Sequence, residues 1–191
     1  MSVDILFTIL AVSVVQSVFG VGTLLFGTPI LLLLDYEFVD ALSVLLPVSI
    51  AISTLQLIKH HEEIDLAFYK NLLFFSLPPV AICLIVVTMV KINIGIPIGV
   101  LLIFVAIKSF LPVVEQMLVK AMNYERIYFM VIGLVHGLSN LGGSLLTAAI
   151  YAKHYTKNKT RVTGAASYAT LALCQLVTLL IIGTEFGISY Q

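Results

Sequence analysis

Two short stretches combine helix-breaking and helix-starting residues inside otherwise apolar runs. Phe19-Gly-Val-Gly-Thr-Leu-Leu25 and Asn140-Leu-Gly-Gly-Ser-Leu-Leu146 line up at an offset of 121, which sets Gly22 on Gly143 and Thr23 on Ser144. A helix restarted at Thr23 or Ser144 points free N–H groups and a partial positive charge at whatever lies before it. Two such starts facing one another would make a neutral-walled site for a small anion, with hydroxyls supplying the remaining donors. The residues expected to line it are Gly20, Gly22, Thr23, Thr28, Ser49, Ser53, Asn140, Gly142, Gly143, Ser144, Ser167 and Thr170. The competing reading is that the glycines only allow close packing, as Gly133 and Gly137 would in a GxxxG pair, and that the Ser and Thr hydroxyls bond back to their own helices.

Other reactive residue types offer less. His136 is the one imidazole inside a charge-free run, and it is either a proton-coupling group or a helix-packing histidine. His60-His61-Glu62-Glu63 puts adjacent histidines on different helix faces and lacks an i, i+4 pair, so neither a metal nor a cofactor is expected. Cys83 and Cys174 sit within apolar runs as small buried hydrophobes. Pro78-Pro79 and Pro97 are expected to kink their helices, and Asn158-Lys-Thr160 is a glycosylation sequon by pattern only.

The elements that must position these residues follow from charge placement. Of 191 residues, 60% are hydrophobic and only 10% charged, with a mean hydropathy of +1.12, which excludes a water-soluble globular domain. Formal net charge is zero, so a nucleic-acid partner is not expected. The charges leave six free runs: 5–34, 41–58, 71–90, 92–107, 127–152 and 162–184. About 20 apolar residues cross a hydrocarbon core of roughly 30 Å, and backbone in lipid must satisfy itself. The expectation is an all-α membrane protein, with Lys91 and Lys108 snorkelling from the ends of the 16-residue run. A cleavable signal peptide is not expected, because Met1 to Asp4 carries no basic residue.

The 5–34 and 127–152 runs hold 30 and 26 residues, long for one upright helix, and both break at glycines near their middles. Each continues through a polar loop into a run holding Ser, Thr and Gln: Ser43, Ser49, Ser53 and Gln56 in one, Thr163, Ser167, Thr170 and Gln175 in the other. If every run crosses once, the ten Lys and Arg residues divide five to five between the faces. If 127–152 enters and returns, nine share one face and Lys91 stands alone, the arrangement the positive-inside rule favours. With the first broken run entering from the face of Asp35, Glu37 and Asp40, the two units form an inverted repeat. The reading divides the chain into a first repeat at 1–110, an amphipathic cytoplasmic linker at 111–126 and an incomplete second repeat at 127–191.

At Phe19-Gly-Val-Gly-Thr-Leu-Leu-Phe-Gly-Thr-Pro29, answered by Gly137-Leu-Ser-Asn-Leu-Gly-Gly-Ser-Leu-Leu146, the chain resembles the sulfite exporter TauE/SafE family. The resemblance implies a membrane permease for sulfite, sulfonates and related small anions. It also implies two further spans beyond Gln191, so the second repeat is completed either by a partner copy, as in a homodimer, or by further chain. Where the family carries a small residue followed by Thr-Ser after each break, this chain reads Ala41-Leu-Ser-Val-Leu-Leu and Thr163-Gly-Ala-Ala-Ser167.

The leading expectation is a multi-pass secondary transporter of the inner membrane, with the lipid bilayer and a small sulfur-containing anion as partners. An anion channel with re-entrant loops and a non-transporting assembly subunit are the alternatives. No nucleophile–base pair or metal-ligand spacing lies in the lipid runs, so an enzyme is not expected. The topology makes a direct prediction. With Cys83 and Cys174 replaced by Ser, Asn158→Cys should react with an impermeant maleimide from the cytoplasmic side only, and labelling from outside intact cells would overturn the arrangement.

Overall fold

The computed structural model describes residues 2–58, 60–90, 95–110, 117 and 120–184. Among the described residues eight α-helices run in the order α1 (Val3–Phe19), α2 (Thr23–Leu33), α3 (Phe38–Leu57), α4 (Leu66–Val90), α5 (Gly95–Phe110), α6 (Glu125–Ser139), α7 (Gly142–Ala152) and α8 (Lys157–Ile182), and no strand occurs. Short 3₁₀ turns at His61–Glu63 and Met122–Tyr124 precede α4 and α6. Among the described residues, α3, α4 and α8 are each long and apolar enough to cross a membrane. The expected 5–34 and 127–152 runs each appear as two helices, and α4 runs through Pro78-Pro79 without ending. Lys91, the 92–94 stretch and half of the proposed 111–126 linker lie outside the described residues.

The distribution of side chains is that of a lipid-embedded bundle. Phe7, Phe19, Phe74 and Ile181 are largely exposed, while Gln16, His136, Asn140 and Gln175 are fully buried. Apolar surface costs nothing against lipid tails, so helix association there rests on close packing and interhelical hydrogen bonds. α4 and α6 pack closely, with Gly133 on the Ser76 carbonyl and Gly137 on Val80. Ser76 Oγ also donates to the Phe129 carbonyl at 2.7 Å, and the Phe68 and Phe129 rings meet edge to face at 5.0 Å.

Both broken segments double back. Glu125, at the start of α6, forms a 3.0 Å ion pair with Lys153, just past the end of α7. At the other segment the Tyr36 hydroxyl, just past α2, donates to Asp4 Oδ2 at 2.9 Å and shares a 2.6 Å hydrogen bond with Ser2 Oγ. Each pair of helices is therefore a hairpin whose two ends meet. Between these closures runs α3, whose 20 residues span roughly 30 Å. Its far end leads to Asp65, which accepts hydrogen bonds from the Phe68 amide at 2.9 Å and the Tyr155 hydroxyl at 2.8 Å and pairs with Lys159 at 3.3 Å. Tyr155 and Lys159 belong to the stretch that follows Lys153, so the two hairpins open at opposite ends of α3.

The Asp65 tie is electrostatic as well as geometric. The Phe68 amide, outweighing partial burial and helped by Tyr155 and Lys159, holds the Asp65 carboxyl below its usual 3.8. Its stabilising effect is thus present above 3.8 and is lost only as pH falls through the lowered value. Burial, and then the neighbouring Asp65 carboxylate, push the Tyr155 hydroxyl up.

A Cβ on Gly137 would come 2.6 Å from the Val80 carbonyl oxygen and 2.8 Å from Cys83 Cβ, whereas one on Gly99 meets nothing within 4 Å. Overpacking of this kind costs about 3 kcal/mol when backbone must move. Gly137→Val should therefore lower the temperature at which buried Cys83 becomes reactive to a thiol dye in detergent, and Gly99→Val should leave it unchanged. Equal midpoints for the two variants would refute the packing role.

Candidate functional site

The first break is held by one side chain. α1 stops because Gly20 adopts φ 80°, the left-handed cap, with its N–H returning to the Gln16 carbonyl at 2.8 Å. Gly22 lets the chain turn against α1, since a Cβ there would lie 2.9 Å from Val15 Cγ1. Gln16 then bridges the gap. Its Nε2 donates to Ser53 Oγ at 2.9 Å and to the Ser49 carbonyl at 3.0 Å, while its Oε1 accepts the Thr23 amide at 3.0 Å. Gln56 Nε2 donates to the Gln16 carbonyl at 2.9 Å. An orphan amide of α2 and a terminal carbonyl of α1 are thereby satisfied from within the protein.

The second break repeats the plan with different residues. Asn140 takes the left-handed cap at φ 65°, a conformation asparagine tolerates, and its N–H returns to the His136 carbonyl at 2.9 Å. Gln175 Nε2 donates to that same carbonyl at 3.2 Å, as Gln56 does to Gln16. The caps Gly20 and Asn140 thus correspond, as do Gln16 and His136, at an offset of 120 in place of the 121 read from the sequence. The shift moves the second helix start. α7 begins at Gly142, and Ser144 lies within its first turn with its hydroxyl donating to the Leu141 carbonyl at 2.9 Å. Ser144 is therefore not the helix-opening residue, because the left-handed turn at Asn140 redirects the chain two residues earlier.

Both half-helix starts converge on Tyr168 of α8. A Cβ on Gly143 would stand 2.5 Å from its ring and 2.9 Å from its hydroxyl, and the Leu25 amide in the first turn of α2 lies near the same hydroxyl without completing a hydrogen bond to it. The His136 ring lies 6.1 Å from the Tyr168 ring, centre to centre, with Gly142 packed against the His136 Cβ. Asn140 Nδ2 donates to Thr28 Oγ1 at 2.8 Å, joining the two hairpins directly.

On the broken helices and the helices that follow them, the buried polar groups are incompletely paired. Thr23 Oγ1, Gln56 Oε1, both ring nitrogens of His136, Asn140 Oδ1, the Tyr168 hydroxyl and Gln175 Oε1 are buried without a partner. Among the described residues these are the buried side-chain polar atoms left unsatisfied, and every one lies on a broken helix or on the helix that follows it. Each such atom costs about 1–3 kcal/mol unless something polar meets it. No charged side chain is buried among the described residues, so the wall is neutral and rich in hydroxyl, imidazole and amide groups.

The sulfite exporter TauE/SafE family model matches residues 5–188. The chain belongs to that family. No curated protein and no solved structure matches it. Membership makes the chain a membrane-integral permease, since TauE/SafE proteins are transporters and not enzymes.

In this TauE/SafE chain the expected residues divide into four groups. Gly20, Gly22, Thr23, Thr28, His136, Asn140, Gly142 and Gly143 gather at the two breaks and the contact between them. Ser49 and Ser53 are one step removed, as partners of Gln16. Ser167 and Thr170 donate to the Thr163 and Ala166 carbonyls of their own helix at 2.7 and 2.9 Å, and Thr170 shares a further bond with the Tyr69 hydroxyl. Ser144 lines an apolar groove with Val100, Leu101 and Tyr128. Tyr168 carried no signal in the sequence, whereas the spacings from Gln16 to Gln56 and from His136 to Gln175 were there to be matched.

Replacing Gln16 by Leu strands the Thr23 amide and two serine hydroxyls, a loss of about 3 kcal/mol. Gln56→Leu removes a bond to the already paired Gln16 carbonyl and a longer one, 3.3 Å, to the Ser17 carbonyl, and should cost about 1 kcal/mol. Thermal midpoints in detergent should rank wild type, Gln56→Leu, Gln16→Leu in falling order. A Gln16→Leu midpoint equal to wild type would remove Gln16 from its place at the break.

Proposed function

We propose that the chain is a multi-pass secondary transporter of the cytoplasmic membrane that carries a small sulfur-containing anion such as sulfite or an organosulfonate. The observation that carries this reading is the set of unpartnered buried polar atoms on the two broken segments and the helices packed on them. An oxyanion seated there would accept from the Thr23 and Tyr168 hydroxyls, from the Leu25 amide and from a protonated His136 nitrogen. The unpartnered Asn140 oxygen favours an anion with a donor of its own, such as hydrogensulfite or a hydroxylated sulfonate. Such a site discriminates by donor placement and not by fixed charge.

Movement follows from the hairpins. The two units, 1–110 and 127–191, act as inverted repeats whose hairpins open on opposite faces, so shifting one against the other exposes the site to one side at a time. The closures Tyr36–Asp4 and Glu125–Lys153 at opposite ends of α3 support that arrangement. His136, buried with both ring nitrogens free, is the group through which a proton would be coupled.

In proteoliposomes the protein should show saturable, counterflow-competent uptake among sulfite, sulfate, thiosulfate and a small sulfonate. Thr23→Val and Tyr168→Phe should each raise the half-saturating concentration roughly tenfold or more, the value of one lost charge-assisted hydrogen bond. Ser167→Ala should change nothing, because that hydroxyl is spent on its own helix. Unchanged affinity in both Thr23→Val and Tyr168→Phe would sink the site, and unsaturable conductance would assign a channel instead.

A further inference from the structure

At the end of the bundle where α7 leads into α8, a cleft of about 550 Å³ opens between that connection and the last turn of α1. Phe19 and Tyr151 form its apolar sides, His154 adds a polar ring, and Lys157 and Arg161 supply its charges. The neighbouring cations are spent elsewhere, Lys153 on Glu125 at 3.0 Å and Lys159 on Asp65 at 3.3 Å. Lys157 and Arg161 meet no carboxylate among the described residues. They are exposed and stand four residues apart on α8, one turn above the other, where two like charges repel unless an anion lies between them.

The cleft leads inward to the first break. A second, much smaller cavity of about 20 Å³ shares Phe19, Tyr151, Thr160 and Arg161 with it and reaches Gly20 and Val21. That space admits about one water molecule. The Arg161 carbonyl lies 3.8 Å from where a Cβ on Gly20 would stand, so Arg161 sits at the junction of the open cleft and the narrow neck.

We propose that Arg161 and Lys157 form a peripheral binding site for an oxyanion group, distinct from the site at Tyr168 and placed at the mouth of the path to Gly20 and Val21. The guanidinium matches the spacing of two oxyanion oxygens, and the lysine adds a point charge beside it. As the entry station of a carrier it rests on the proposed transport function, whereas its binding of an oxyanion does not. The same chemistry is offered by a free inorganic anion and by the phosphate of a lipid headgroup, and the two sources separate by experiment.

With the full chain in nanodiscs of neutral phosphatidylcholine, the rate at which phenylglyoxal modifies Arg161 is followed by mass spectrometry. Arg126, stacked 5.6 Å from the Phe75 ring centre, serves as the internal reference. Sulfate should slow modification of Arg161 several-fold where chloride of equal ionic strength does not, and Lys157→Gln should abolish most of that protection. Absence of sulfate protection overturns the site for a free anion. Protection that appears only when phosphatidylglycerol is added assigns the occupant as a headgroup and overturns the entry role. In flux measurements Arg161→Gln should raise the half-saturating concentration roughly tenfold for entry from this face, with the maximal rate kept. An unchanged half-saturation overturns the entry role. Sulfate protection in a wild-type protein that moves none of the four anions would leave this site standing and remove the transport reading alone.

Discussion

A helix broken inside a membrane has no water to receive its loose amides and carbonyls, and the rest of this structure depends on how that demand is met. Gln16 meets it at the first break. One side chain accepts from the Thr23 amide, donates toward Ser49 and Ser53, and so fastens α1, α2 and α3 at a single point. Gln56 and Gln175 perform matching tasks for the last carbonyls of α1 and α6. Without these amides the glycines would open a gap that lipid could not fill.

Once each break is stabilised, the two halves of a segment are free to turn back on themselves, and polar groups at their outer ends close them. Lys153 with Glu125 does this at one end of the bundle and Tyr36 with Asp4 at the other. The helices that follow, α3 and α8, pack against the broken ones and bring Ser49, Ser53, Gln56, Tyr168 and Gln175 to them. Function and stability share these helices. At Gln16 the polar groups are paired and serve structure, while at Thr23, His136, Asn140 and Tyr168 they are left open.

That division explains why the second break is not a copy of the first. His136 occupies the place of Gln16 but leaves both ring nitrogens unpaired, and Asn140 occupies the place of Gly20 while reaching across to Thr28. An asparagine can hold a left-handed cap and still offer an amide, which a glycine cannot. One hairpin is thus pinned by its own glutamine and the other is held partly through its partner.

The sequence by itself determined that the chain is helical and membrane-embedded, and it marked the stretches in which its long apolar runs are interrupted. Charge scarcity and glycine placement act locally along the chain, so they can be read from it directly. Which hydroxyls remain available was decided only by tertiary structure. Ser167 and Thr170 resemble Thr23 in composition and setting, yet theirs are taken by carbonyls one turn earlier while the Thr23 hydroxyl is left over. The register of the repeat likewise shifted from 121 to 120, because a single left-handed residue at Asn140 moves a helix start without changing the pattern of residue types. Tyr168 gave no sign of its position, since nothing local to α8 foretells that two helix starts distant in the chain will meet at its hydroxyl.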